Sequence, residues 1–305
     1  MNKKLKYWFE YIFFRIFVGI QAITPFWLMY IKSDVVAFLL FNVIGYRRKI
    51  SYTNLKNSFP DKSAQEIKQI QKRFYHHLAD VFFETAKGMT CNADKLCRRY
   101  QILNPEIADK YAEKGIHVIF LATHYGNWEW GMQCFNQHLK HQCISLYLPL
   151  NNKWSEKYGY KKRTRTGMKL IPVQKTKEAF AGSGDKALGF IMAADQTPSN
   201  MNKCHWIDFL NQPTPCIHGP EAYGRKLNIP QLFVDVKKEK RGHYHITLKE
   251  IPFDPQNEPP GTLTCKYMRA LEAVLEKEPA YWLWSHRRWK RKVPADIDKI
   301  KIQCT

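Results

Sequence analysis

IHVIFLATHYGNWEW, residues 116–130, runs an apolar segment into a histidine and, five positions later, a glutamate. The run IHVIFLA at 116–122 is short, β-branched and apolar, the pattern of a strand covered on both faces of a sheet. Asn127 is placed to cap a helix over 127–139, with Trp128, Met132, Phe135 and Leu139 as its buried face. In open α/β sheets reactive groups collect at the carboxyl ends of strands. His124 stands at such an end, and Glu129 falls in the first turn of the helix that follows.

Other segments repeat this alternation. Strand patterns occur at 143–148, 187–194 and 229–236, and 243–251 alternates as a half-exposed strand paired through a turn at Arg241 and Gly242. Residues 63–88 place Ile67, Ile70, Phe74, Leu78, Val81 and Phe82 at helical spacing, opened by a Ser63–Glu66 capping box and closed at Gly88. Further helices are expected at 105–114, 154–166, 175–181, 217–227 and 262–277. The fold class is therefore α/β, with a mainly parallel central sheet covered by helices on both faces. The Pro- and Asn-rich stretches 196–215 and 252–261 read as loops.

The 305 residues carry 48 Lys+Arg against 27 Asp+Glu, a net charge of +21. A surplus of that size implies an anionic partner: nucleic acid, an anionic membrane surface or an acidic carrier protein. Residues 7–31 form the most apolar window, with Glu10 and Arg15 near its start and Pro25 as a kink. The run at 35–45 is too short to span a bilayer alone and is followed by Arg47, Arg48 and Lys49. Residues 1–45 thus read as an uncleaved N-terminal membrane anchor, spanning or half-inserted, and 46–305 as the catalytic domain on the positively charged cytoplasmic side. The eight cysteines form no CxxC pair and no zinc spacing, so reduced, scattered thiols and no metal are expected.

A carboxylate on one ring nitrogen of a histidine fixes its tautomer and favours the imidazolium, leaving the other nitrogen free to take a proton from a hydroxyl. Glu129 reaching back to His124 would make such a general base, with no G-x-S-x-G elbow and no P-loop to supply another chemistry. By itself H-x4-E is an unspecific pattern, and a structural histidine at a strand end is the competing account.

THYGNWEW resembles the H-x4-[DE] motif of glycerolipid acyltransferases, within the lysophospholipid acyltransferase superfamily, and more narrowly that of the lipid A late-acyltransferase (lauroyl/myristoyl transferase) family. KKRTRTG at 161–167, AADQTP at 193–198 and YWLWSHRRWKRKVP at 281–294 resemble further blocks of that family in the same order. FLNQPTP at 209–215 and GMKLIP at 167–172 resemble a Bacteroidetes-like subgroup.

The resemblance implies secondary acylation of a lipid A precursor from acyl-acyl carrier protein at the inner membrane, without a cofactor. His124 would be the general base and Glu129 its orienting partner. Arg163 and Arg165 would lie at a phosphate or reacting oxygen. Asp195 and Gln196 end the strand 187–194 and so would lie beside His124 across the sheet, where Asp195 would lock an arginine and Gln196 would donate to substrate. The cations from His286 to Lys292, interleaved with tryptophans, would form a strip facing anionic inner-membrane lipid or the acidic carrier protein. The enzymatic alternative is acyl transfer to another glycolipid, a lysophospholipid or an aminolipid. The non-enzymatic one is a basic, membrane-associated nucleic-acid-binding protein, for which no RNP, zinc-finger or helix-turn-helix pattern appears and a hydrophobic anchor is a poor companion.

Overall fold

A computed structural model describes residues 2–182 and 186–304. In chain order the helices are α1 (Lys3–Ile23), α2 (Phe26–Phe38), α3 (Arg48–Ser58), α4 (Ala64–Gly88), α5 (Ala93–Cys97), α6 (Glu106–Ala112), α7 (Trp128–His138), α8 (Lys153–Arg163), α9 (Thr176–Ala181), α10 (Gly219–Leu227), α11 (Thr262–Lys277) and α12 (Ile297–Ile300). The strands are β1 (Tyr100–Ile102), β2 (Val118–Ala122), β3 (Gln142–Tyr147), β4 (Lys169–Pro172), β5 (Leu188–Ala193), β6 (Cys204–Phe209), β7 (Gln212–Ile217), β8 (Gln231–Lys240) and β9 (His243–Ile251).

Seven strands form one sheet in the order β1-β9-β8-β2-β5-β3-β4. Every pairing is parallel except β8 with β9, the hairpin whose turn is Arg241–Gly242. The expected α/β class with a mainly parallel sheet is thus what the chain adopts. β2 and β5 are central, and Val118, Ile119, Phe120 and Leu121 are completely buried, as a strand covered on both faces requires. The short strands β1 and β4 take the edges, where brevity limits unwanted pairing.

Three expectations need correction. The stretch 196–215 is not wholly loop: β6 and β7 form a separate antiparallel ribbon, turned by Leu210 and Asn211 at positive φ. Pro213 and Pro215 sit within β7, which a two-stranded ribbon tolerates because its outer edge needs no N–H. Four of the eight cysteines are not free thiols: Cys97 is bonded to Cys134 and Cys265 to Cys304, with Cα atoms 5.2 and 5.4 Å apart. Their separations of 37 and 39 residues put both pairs beyond any local spacing rule.

The third correction concerns the N-terminal segment. The window 7–31 is broken at Thr24 and Pro25, and among the described residues the helix long and apolar enough to cross a membrane is Phe26–Val43, where α2 continues through a wider turn at Leu39–Val43. Pro25 has no N–H to continue α1 but its fixed φ suits a helix start. The runs that looked separate at 7–31 and 35–45 are therefore divided differently. Both α1 and α2 pack against α4, and Phe13, Ile23, Trp27 and Val43 on their outer side remain 66–86% exposed.

α4 starts at the expected capping box, with Ser63 Oγ accepting from Glu66 N and Glu66 Oε2 from Ser63 N. Its core side is wider than the apolar spacing suggested. Phe82 is 58% exposed, while the polar His77, Asp80 and Glu84 are buried. In α7 Trp130, Gln133, Cys134 and Phe135 are among the buried residues, and Trp128 and Met132, less buried, line a cleft.

Gly189 in β5 leaves room for the packing of β2: a Cβ there would lie 2.6 Å from Phe120 Cε2 and 3.2 Å from His141 Cβ. Overpacking a core costs about 1–3 kcal/mol. Gly189→Ala is expected to lower the urea midpoint accordingly, and an unchanged midpoint would show that the Phe120 ring yields freely.

Candidate active site

β2 and β5 are paired with Ala122 opposite Ala193. Two residues beyond that pair lie His124 after one strand and Asp195 after the other, so the sheet register itself brings them together at its carboxyl edge. His124 Nδ1 is 2.7 Å from Asp195 Oδ1, and the His124 backbone N–H donates to Asp195 Oδ2 at 2.8 Å. Trp282 Nε1 donates to the same Oδ2, also at 2.8 Å. A carboxylate only accepts, so Nδ1 carries the proton and Nε2 is the basic nitrogen of the neutral ring. Nε2 has no protein partner among the described residues.

The turn between β2 and α7 is fixed from several sides. Gly126 has φ +64°, and a Cβ there would meet Val236 Cγ1 at 2.9 Å. Its N–H donates to Tyr281 O at 2.9 Å, and its carbonyl meets His77 Nε2 at 3.2 Å. Asn127 Oδ1 caps α7 by accepting from Trp130 N, as the sequence implied. The Trp128 ring stands edge-on to the imidazole, with centroids 5.4 Å apart.

Glu129 does not hydrogen-bond to His124. Both its carboxylate oxygens are taken by Arg163, from Nε and Nη2, each at 2.9 Å. The partners expected from sequence are thus exchanged: Asp195, expected to lock an arginine, holds the histidine, and Glu129 locks the arginine. The reason is directional. Glu129 lies one residue into α7, where its side chain faces the last residue of α8 across the cleft. Arg165 lies outside this cluster and donates to Gly88 O at 2.6 Å, closing the C-terminal end of α4. Gln196 lies with His124, Glu129 and Arg163 on one cleft of about 300 Å3. Met132, Phe135, Leu146, Ile191, Val234 and Val236 make its apolar wall.

The tryptophan-rich C-terminal block does not form a surface strip. Trp284 and Arg288 are completely buried and Trp282 nearly so. Arg288 donates to Pro215 O, and His286 Nε2 accepts from Thr197 N. Of its cations, Arg287, Lys290 and Lys292 are exposed. The block builds the site from behind, and Trp282, expected in a strip facing membrane lipid or the carrier protein, is a site residue instead. Burial and the neighbouring Arg288 charge press the His286 imidazole down to about 4, so it stays neutral and able to accept.

Burial by itself would depress the His124 imidazole, but the Asp195 charge and hydrogen bond outweigh it and hold it above the ordinary value, with Glu129 adding a smaller push through space. Asp195 is buried, which would raise its carboxyl, yet the His124 charge and its three donors hold it below the usual range. A raised histidine contributes stability that is full below its unfolded value and is lost as pH rises through the folded one. A depressed aspartate contributes above its unfolded value and loses it as pH falls. The pair therefore stabilises most between about pH 4 and 6.5, the two unfolded values. Asp195→Asn is expected to flatten the urea-stability profile across that window. It should also move the His124 titration, followed by NMR of labelled imidazole carbons, to lower pH. An unmoved midpoint would show that Asp195 does not set the basicity of His124.

No curated protein matches the chain. The family model described as bacterial lipid A biosynthesis acyltransferase matches residues 2–291, nearly the whole chain, and supports an acyltransferase. The histidine turn, the arginine of α8, the Asp195 strand end and nearly all of the C-terminal block fall inside that match, and the chain belongs to the bacterial lipid A biosynthesis acyltransferase family.

Proposed function

We propose that this protein transfers a fatty acyl chain from acyl-acyl carrier protein to a hydroxyl of a lipid A precursor, by direct general-base catalysis at His124. The observation that carries the reading is the imidazole whose Nδ1 is held by Asp195 while Nε2 is left to a partly apolar cleft. Nε2 takes the acceptor hydroxyl proton as the alcohol oxygen attacks the thioester carbonyl. The negative charge passes to the carbonyl oxygen and the tetrahedral intermediate collapses. The C–S bond then breaks, and the thiolate leaves with the proton from the imidazolium. No protein nucleophile is needed.

Asp195 stabilises the imidazolium, so the base is better described as a His124–Asp195 pair than as His124 with Glu129. Glu129 sets the plane of the Arg163 guanidinium. Arg163 keeps Nη1 for the developing oxyanion or for an acceptor phosphate, a task for which a planar guanidinium is better fitted than an ammonium. The cleft volume lies at the low end of ligand sites, roughly 300–1,000 Å3, and its apolar wall suits an acyl chain. The exposed apolar side of α1 and α2 docks the protein on the cytoplasmic face of the inner membrane, half-inserted. The surplus of positive charge favours anionic lipid and an acidic carrier protein.

With purified full-length protein, His124→Ala is expected to fold normally and lose about 100- to 10,000-fold in kcat. Arg163→Lys keeps the charge but loses the fork, and should cost at least about tenfold. Lipid A from a deletion strain should lack the mass of one acyl chain, restored by the wild-type gene and not by His124→Ala. Retained transfer by His124→Ala would sink the assignment of the base. An unchanged lipid A mass would sink the acceptor.

A further inference from the structure

α4 hides His77, Asp80, Glu84 and Lys87, each no more than 9% exposed. Their three- and four-residue spacing puts them on one stripe. Polar groups buried this way need partners, and theirs come from two directions. On one side are the apolar N-terminal helices. Lys87 Nζ donates to the carbonyls of Gln21, Ala22 and Thr24 at the end of α1. Ser33 of α2 donates to Asp80 at 2.8 Å, and Tyr30 of α2 donates to Glu84 Oε1 at 2.9 Å. On the other side is the turn that carries His124. His77 meets the Gly126 carbonyl, Asn127 Nδ2 donates to Glu84 Oε2 at 2.7 Å, and Trp130 Nε1 donates to the Glu84 backbone carbonyl at 2.7 Å.

Glu84 is the residue on which both sides close. One oxygen takes the hydroxyl of the apolar helix, and the other takes Asn127 and the Tyr244 hydroxyl at 2.8 Å. We propose that Glu84 is a positioning residue through which α2 holds the turn 124–127 in its reactive setting. Glu84 does not line the catalytic cleft and acts through Asn127, the cap of the helix that also bears Glu129. The carboxylate is completely buried, so its donors have no water to turn to if it is removed. Seating of α2, an apolar helix proposed with α1 to meet the membrane, is thereby linked to the geometry at His124.

The kinetic arm of the test rests on His124 being the base; the labelling arm does not. Glu84→Gln keeps the volume but replaces one acceptor oxygen with a donor. Tyr30→Phe removes one hydroxyl from α2 and touches nothing at the cleft. Both are made in the full chain on phosphatidylglycerol-containing vesicles. Displacing a catalytic group by a fraction of an ångström to one ångström costs up to about 100-fold in rate. Glu84→Gln is expected to lower kcat at least about tenfold with KM changed less than about twofold. Carbethoxylation of His124 by diethylpyrocarbonate, read by peptide mass spectrometry, should speed up at least about threefold as the turn loosens. Tyr30→Phe should move both quantities in the same direction by less, and the double variant should be no worse than Glu84→Gln. Unchanged His124 labelling in Tyr30→Phe and Glu84→Gln would overturn the proposal. Should Glu84→Gln fail to fold, unchanged labelling in Tyr30→Phe would do so by itself. If wild type transfers no acyl group, or His124→Ala remains active, the base assignment falls while the labelling rates still decide the role of Glu84.

Discussion

The pairing of Ala122 with Ala193 in adjacent parallel strands is the constraint from which the site follows. Parallel strands in register carry their ends to the same edge, and two further residues on each put an imidazole and a carboxylate within 2.7 Å. A buried carboxylate is expensive unless its lone pairs are used. Asp195 uses them on the His124 ring, the His124 backbone N–H and the Trp282 indole. Because two of those donors come from a single residue, the acid fixes the position of the turn as well as the tautomer of its ring.

Trp282 reaches Asp195 from the far end of the chain, and its neighbours explain why so many aromatic and cationic residues lie close together there. Trp284 donates to Pro279 O, Asn54 of α3 donates to the carbonyls of Trp284 and His286, and Arg47 donates to Ser285 O. Irregular backbone that is buried must find such partners or lose stability. The positive charges of this block that are inside the protein are therefore structural, while its outward cations remain available to an anionic surface.

The α/β class, the strand-helix alternation, the β8–β9 hairpin and the start of α4 were legible in the sequence because each depends on local periodicity or on capping chemistry. The position of His124 at a strand end was legible for the same reason. What was not legible depends on direction across space. Glu129 and Asp195 are both acids near a histidine, and spacing along the chain favours the nearer one, yet both Glu129 oxygens are taken by Arg163 from across the cleft, a pairing that no local spacing registers. The β6–β7 ribbon was obscured by its prolines, and the disulfides by separations that local patterns do not register. The stripe of His77, Asp80 and Glu84 was hidden because polar residues at helical spacing read as an outward face until the opposing partners are known.

Exchanging the two acids has an electrostatic reason. Two carboxylates directed at one imidazole would repel each other, and one would be driven to hold a proton. Here each acid has its own partner: Asp195 meets the imidazole at 2.7 Å, and Glu129 meets the Arg163 guanidinium through two bonds of 2.9 Å. The nearby negative charge of Glu129 still favours a charged His124 through space, but its bonds go elsewhere. A site arranged this way keeps a basic ring nitrogen and an oriented guanidinium on one cleft, each held by its own acid. Charge developing on a substrate oxygen is then met by fixed groups rather than by water that must reorganise.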